Sequence, residues 1–127
     1  MTHHHGGTNM ESILSTIKLK LGLSPDYKTA FDDSLIPTIN SAFIRLKTLG
    51  VGPQSGIPFH ITGDTETWND FFGDSPHIDT VIDYIYMKTK MAFDPPSTSF
   101  TIEAYKNQLE EMEFTFIVLE TDKKKEA

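Results

Sequence analysis

The sequence contains no cysteine, which excludes disulfide bonds, thiolate metal sites and a cysteine nucleophile. It also has no apolar run near the roughly 20 residues that a membrane-spanning helix needs, so we expect no membrane segment. Positive charge is scarce: 11 Lys and Arg stand against 18 Asp and Glu, for a formal net charge of −7. This deficit argues against wrapping on nucleic acid, because phosphate binding needs clustered Lys and Arg.

The motifs of common enzyme sites are missing as well. The sequence has no phosphate-binding Gly-rich loop, no dinucleotide fingerprint after a strand, no His three residues after a Glu and no nucleophile elbow. His60 and His77 are isolated, and the adjacent His3, His4 and His5 lack a second cluster of ligands. We therefore predict that the protein is not an enzyme and holds neither a metal ion nor a cofactor.

What is present is ordinary for a globular domain. The chain has 127 residues, of which 38% are hydrophobic and 23% charged, and a single core usually serves roughly 100 to 150 residues. We predict three parts: a disordered N-terminal tail over residues 1–7, a helical domain over 8–121, and a charged C-terminal tail over 122–127.

Apolar side chains recur at helical spacing in four segments. The first helix is predicted to begin at Thr8, with Glu11 three residues later completing a capping box, and to end at Gly22. The second is predicted to begin at residue 33 or 34 and to end at Gly50.

The third predicted helix opens with Ser75 as its cap and Pro76 in its first turn, and it ends near residue 94. It is apolar on two sides, which is typical of a helix central in its bundle or shared with a partner. The fourth is predicted over residues 99–119. Its apolar residues are spaced as a heptad seam: Ile102, Tyr105, Leu109, Met112, Phe116 and Leu119.

Helical periodicity fails over residues 51–76, which are rich in Gly and Pro and carry four acids with no Lys or Arg. A short strand at residues 59–62 and a helical turn at 67–72 are the elements that we expect there. The aromatic residues of this loop either pack on the bundle or anchor in a partner's pocket, and both interpretations stay open.

The predicted fold class is therefore mainly α. It is a small four-helix bundle with a long irregular loop, able to form a short β-hairpin, between helices 2 and 3, and with a long C-terminal helix. Phe114, Ile117 and Val118 widen the apolar surface at the far end of that helix, which favours contact with a neighbouring subunit.

Three segments resemble the head–tail connector proteins, also called adaptor or head completion proteins, of long-tailed bacteriophages that infect Gram-positive hosts. They are SAFIRLKTLGVGP (residues 41–53), TWNDFFGD (67–74) and YIYMKTKMAFDPPSTSF (84–100). Their order and spacing are similar to those of the family, and the resemblance covers residues 12–119.

The resemblance implies a structural subunit of the phage neck, assembled in the host cytoplasm and found in the virion. Such proteins form a ring of about twelve copies under the portal protein, extend the DNA channel, and dock a stopper or tail-terminator protein. DNA would pass through without sequence-specific binding. The family brings no catalytic residues.

Two sets of site residues follow. The candidates for partner interfaces are Trp68, Phe71, Phe72, Tyr105, Met112, Phe114, Phe116, Ile117, Val118 and Leu119. An acidic lining repels DNA phosphates, and the candidates for the channel wall are Asp64, Glu66, Asp70, Asp74, Glu110, Glu111 and Glu113. Two alternatives remain: an acidic helical regulatory module that binds a basic or DNA-binding protein, and an enzyme with an atypical site around His60 and His77.

Overall fold

The computed structural model describes residues 11–24, 29–72 and 77–126, without the side chains of Phe72 and of residues 121–126. Within these residues the chain forms five helices: α1 (Ile13–Lys20), α2 (Asp32–Thr48), α3 (Trp68–Phe72), α4 (Ile78–Phe93) and α5 (Ser99–Glu126). The predicted mainly α fold is confirmed, and the additional short helix is the turn expected at residues 67–72.

Helix α4 is the centre of the bundle, because it packs against α1, α2 and α5. Most of its apolar side chains are covered by the rest of the protomer, while Met91 is half-buried and Ala92 is exposed. The interpretation as a central helix is thus confirmed. Its buried residues are Ile78, Val81, Ile82, Tyr84, Ile85, Met87 and Thr89.

Helix α1 begins later than predicted. Its N-cap is Ser12, whose Oγ accepts a hydrogen bond from Ser15 N at 3.1 Å. Thr8 lies outside the described residues, and Glu11 precedes the helix, so the predicted capping box is wrong. The reason is tertiary: the carbonyl of Glu11 accepts a hydrogen bond from the backbone N–H of Trp68 at 3.2 Å, which holds this residue outside the helix.

The predicted strand at residues 59–62, with its hairpin, is wrong. In the described part of the chain the one β pairing is an isolated antiparallel bridge between Ser12 and Thr67. Ile61 satisfies its backbone groups on a side chain instead. Its N–H donates to Asn40 Oδ1 at 2.7 Å, and its carbonyl accepts from Asn40 Nδ2 at 3.0 Å. The amide of Asn40 on α2 thus takes the place of a neighbouring strand and fixes the loop.

The other helix boundaries agree more closely with the sequence patterns. Helix α2 begins within two residues of its prediction, and Gly50 follows it at φ 90°, the left-handed conformation that often ends helices. Ser75 and Pro76, the predicted start of the third helix, lie outside the described residues.

Helix α5 begins at Ser99 as predicted but runs to Glu126, through most of the segment that was expected to be a charged tail. Its 28 residues span about 42 Å at 1.5 Å per residue. None of the described helices is both long and apolar enough to cross a membrane. The predicted boundaries of the terminal tails remain predictions, and residues 1–7 lie outside the description.

Candidate functional site

The loop that follows α2 folds back on the bundle through a cluster of three phenylalanine rings. Phe43 of α2 lies with its ring centroid 5.0 Å from that of Phe59 and 4.7 Å from that of Phe71, and the latter two are 5.2 Å apart. Such tilted and edge-to-face pairs add stabilisation beyond the area that they bury. Gly52 permits the close approach: at φ 86°, a Cβ there would lie 2.5 Å from Phe71 Cε1.

Trp68 is fully buried between the loop and α1. Its indole Nε1 donates to Thr16 Oγ1 at 3.0 Å, and the Thr16 hydroxyl donates in turn to the carbonyl of Ser12 at 2.7 Å. The packing interpretation therefore describes Trp68 and Phe71, and neither side chain is available as a surface anchor in this conformation. The side chain of Phe72 lies outside the description.

Two loop acids that are candidates for a channel wall also accept hydrogen bonds within the loop. Glu66 Oε2 accepts from Thr62 N at 3.0 Å and from Thr62 Oγ1 at 2.8 Å. Burial raises the pKa of Glu66, but the hydrogen bonds from Thr62 and the nearby backbone outweigh it, so that the pKa lies below its ordinary value. Asp70 Oδ2 accepts from Thr67 N at 2.9 Å at the start of α3.

The remaining acids of the channel set differ in position. Asp64 is exposed on the loop, and Glu110 and Glu111 are exposed on α5. Asp74 lies outside the described residues. Glu113 is turned toward the bundle, where it takes part in the contact described next.

Glu113 joins α5 to two other helices. Its carboxylate accepts from Arg45 of α2, with Arg45 Nη2 2.8 Å from Oε1 and Nε 3.4 Å from Oε2. The hydroxyl of Tyr84, which is buried on α4, donates to Glu113 Oε2 at 2.5 Å. We call Arg45, Tyr84 and Glu113 the three-helix clamp, because each residue comes from a different helix.

The protonation states of the clamp are fixed by its geometry. The hydrogen bond from Arg45 lowers the pKa of Glu113, burial opposes this, and the bond from Tyr84 adds to the lowering, so the pKa lies below the ordinary 4.5. Burial, followed by the hydrogen bond to Glu113 and its charge, raises the pKa of Tyr84 above the ordinary 10.0. Near neutral pH the clamp is thus a carboxylate held by a guanidinium and a neutral phenol.

The interface candidates on α5 divide into two groups. Phe116 is buried, with its ring centroid 5.5 Å from that of Tyr84, and Met112 is half-buried against the core. Tyr105 and Leu119 are half-buried too. By contrast, the interface candidates that α5 leaves exposed are Phe114, Ile117 and Val118.

A further exposed aromatic residue, Phe100 in the first turn of α5, was missed by the sequence analysis. Its signal was present: Phe100, Phe114 and Val118 belong to a second row at heptad spacing. We call this row the outer seam, and it consists of Phe100, Ala104, Asn107, Glu111, Phe114 and Val118, all of them exposed. An open depression beside it is lined by Asn107, Glu110, Glu111, Phe114 and Thr115.

The described residues hold no group of three or more His, Cys, Asp or Glu side chains that could bind a metal ion. His60 and His77 are both exposed and lie on different elements, His60 on the loop and His77 just before α4. The most prominent exposed feature is the outer seam of α5, which carries large apolar side chains at its two ends.

The chain matches the family model described as phage connector protein over residues 13–123, which is most of its length. Neither a curated protein nor a solved structure matches it. The chain therefore belongs to the phage connector protein family, and it is a head–tail connector. The type of phage and its host remain predictions.

Proposed function

We propose that this protein assembles as a ring of about twelve copies beneath the portal protein, where it extends the DNA channel and docks a stopper or tail-terminator protein. The observation that carries this proposal is the exposed apolar surface of α5 in a chain that matches the connector family over residues 13–123. Monomeric proteins seldom leave several large apolar side chains uncovered in one row of a long helix, as Phe100, Phe114 and Val118 are here. The row is therefore accounted for if other subunits of the neck cover it.

The net charge supports a channel role. At −7 per chain, a ring of about twelve copies would carry on the order of −80, which repels DNA phosphates wherever the acids face inward. Glu66, Asp70 and Glu113 already accept hydrogen bonds within the protomer. We propose that the loop lines the channel, with Asp64 and Asp70 as its exposed acids.

The mass of the protein in solution tests this function. We would measure it by light scattering, alone and mixed with the portal protein encoded by the same genome. We expect a particle of about twelve copies alone or bound to the portal. A protein that stays monomeric and does not bind the portal protein at high concentration would contradict the proposal. An unrelated portal protein is the control for nonspecific association.

The regulatory module gains no support from the family match. It predicts a monomer or dimer that captures a DNA-binding protein, so the same mass measurement separates it from a connector. We propose no catalytic role, since the connector family is structural.

A further inference from the structure

Helix α5 carries two heptad rows on opposite sides. The inner row of Leu109, Met112 and Phe116 faces the bundle. The outer seam repeats at spacings of 4, 3, 4, 3 and 4 residues. At 100° per residue Phe114 lies about 160° around the helix from Phe116. The bundle covers the inner row, whereas Phe100, Phe114 and Val118 of the outer seam stay exposed.

The outer seam has apolar ends and a polar centre. Phe100 is 85% exposed, Phe114 67% and Val118 39%, whereas the middle positions are Asn107 and Glu111. A polar residue inside a packed row fixes register at some cost in stability. The seam is also acidic, since Glu103 and Glu110 are exposed beside it. Two copies of this face would set acids against acids, which opposes a symmetric contact between two α5 helices.

The same chain carries a surface of complementary character on α2. Ile44 is 53% exposed, and Ile57, on the adjoining loop, is 74% exposed. Lys47 holds this loop against α2 by donating from Nζ to the carbonyl of Gly56 at 3.0 Å. We call Ile44, Lys47 and Ile57 the α2 patch. It combines apolar side chains with a positive charge, where the outer seam combines apolar side chains with negative charges.

We propose that the outer seam of one copy packs on the α2 patch of the next copy, with Glu111 facing Lys47. This inference rests on the proposed ring. The outer seam points away from its own bundle, so the α2 patch that covers it belongs to another molecule. A contact between two different surfaces is head-to-tail, and repetition of such a contact closes a ring when the rotation divides a full turn.

The first test uses charged substitutions on each surface. Phe114→Asp places a charge in the outer seam, and Ile44→Asp places one in the α2 patch. As a control, Leu19→Asp changes an exposed residue of α1 that belongs to neither surface. We expect the first two variants to lose the ring and to keep the helix content of the wild type, because both side chains are exposed. Their melting temperatures should equal that of the wild type diluted until it is monomeric. Leu19→Asp should assemble as the wild type does.

Mixing the two variants tests the head-to-tail geometry. Phe114→Asp retains the α2 patch, and Ile44→Asp retains the outer seam, so one intact contact remains between them. We expect a 1:1 mixture to form a dimer of the two variants and nothing longer. A contact between two outer seams would instead leave Ile44→Asp fully assembled, and that result would overturn the inference.

The absence of cysteine permits a second test that also traps weak contacts. With Ile44→Cys and Phe114→Cys in one chain, oxidation should produce a ladder of linked copies, whereas each single substitution should stay unlinked. A dimer from Phe114→Cys alone would overturn the inference, and so would a double variant that stays unlinked in assembled rings.

The outcomes separate this inference from the proposed function. If wild-type rings form and both Asp variants keep them, the contact is wrong and the connector function stands. If Phe114→Asp keeps the ring but loses the portal, the seam is a portal surface and the inference is overturned. If the wild type neither self-associates nor binds the portal, the proposed function fails and the inference fails with it.

Discussion

The three-helix clamp allows the most quantitative prediction, because its three residues are expected to contribute unequally to the free energy of unfolding. The hydroxyl of Tyr84 is buried and donates to Glu113, whereas the side chain of Arg45 is 47% exposed. Replacing Glu113 by Ala leaves the Tyr84 hydroxyl buried without its acceptor. Replacing Tyr84 by Phe removes the hydroxyl but leaves Glu113 with Arg45.

The magnitudes follow from these environments. A net hydrogen bond to a charged group contributes about 1.5 to 3 kcal/mol, while a largely exposed ion pair contributes about 0.2 to 1 kcal/mol. We therefore expect Glu113→Ala to lower the free energy of unfolding by about 2 to 4 kcal/mol. Tyr84→Phe should cost about 1.5 to 2 kcal/mol and Arg45→Met about 0.5 kcal/mol.

Urea unfolding at a protein concentration low enough for the chain to be monomeric measures these changes, with the fluorescence of Trp68, the only tryptophan, as the probe. A loss of 2 kcal/mol should shift the midpoint by about 1 M. The double variant Tyr84→Phe/Glu113→Ala should be more stable than the sum of the single losses predicts, with a coupling of about 1.5 kcal/mol. A coupling below about 0.3 kcal/mol, or an Arg45→Met loss that equals the Glu113→Ala loss, would refute the reasoning.

Three other predictions concern the clamp and the loop. Because the pKa of Glu113 is lowered on folding, its contribution to stability is present above the ordinary pKa of 4.5 and is lost as the pH falls through the folded pKa. The difference in free energy of unfolding between the wild type and Glu113→Gln, measured with urea, should therefore narrow on acidification. A difference that stays constant with pH would contradict this. Gly52→Ala should lower the free energy of unfolding by about 2 to 4 kcal/mol, because its Cβ would clash with Phe71. Gly56→Ala, at φ 79° with no atom within 4 Å of the added Cβ, should lower it by about 1 kcal/mol. Equal melting temperatures for the two variants would contradict the packing of the loop. Trp68→Ala should lower stability by about 3 to 5 kcal/mol, and calorimetry showing an unchanged transition would mean that the indole is not in the core.

The helical elements were predictable because their signals are local. The apolar spacing placed α2 and α4 within a few residues and predicted the start of α5, although α5 runs seven residues beyond its predicted end. The two apolar sides of α4 were compatible with a central position or with a partner contact. The start of α1 was not predictable, since Glu11 is held by the backbone of Trp68, 57 positions further along the chain. The missing strand has the same origin, because Asn40 supplies the hydrogen bonds that a neighbouring strand would give Ile61.

The candidate surfaces were predictable only in part. The apolar end of α5 stands out in the sequence, and Phe114 and Val118 are indeed exposed. Sequence spacing does not tell which row of a helix faces the core, so Phe116 was grouped with its exposed neighbours. Charge alone likewise could not separate Glu113, which is bound by Arg45 and Tyr84, from the exposed Glu110. The segment match to the connector family, by contrast, is carried by the sequence and is confirmed.

An electron-microscopy reconstruction of the neck of the phage whose genome encodes this chain is the most direct test of a connector role. We expect copies of this helical domain in a closed ring directly below the portal, each placing Phe114 against Ile44 of its neighbour and Asp64 toward the channel. A neck in which the density below the portal belongs to other proteins would contradict the account.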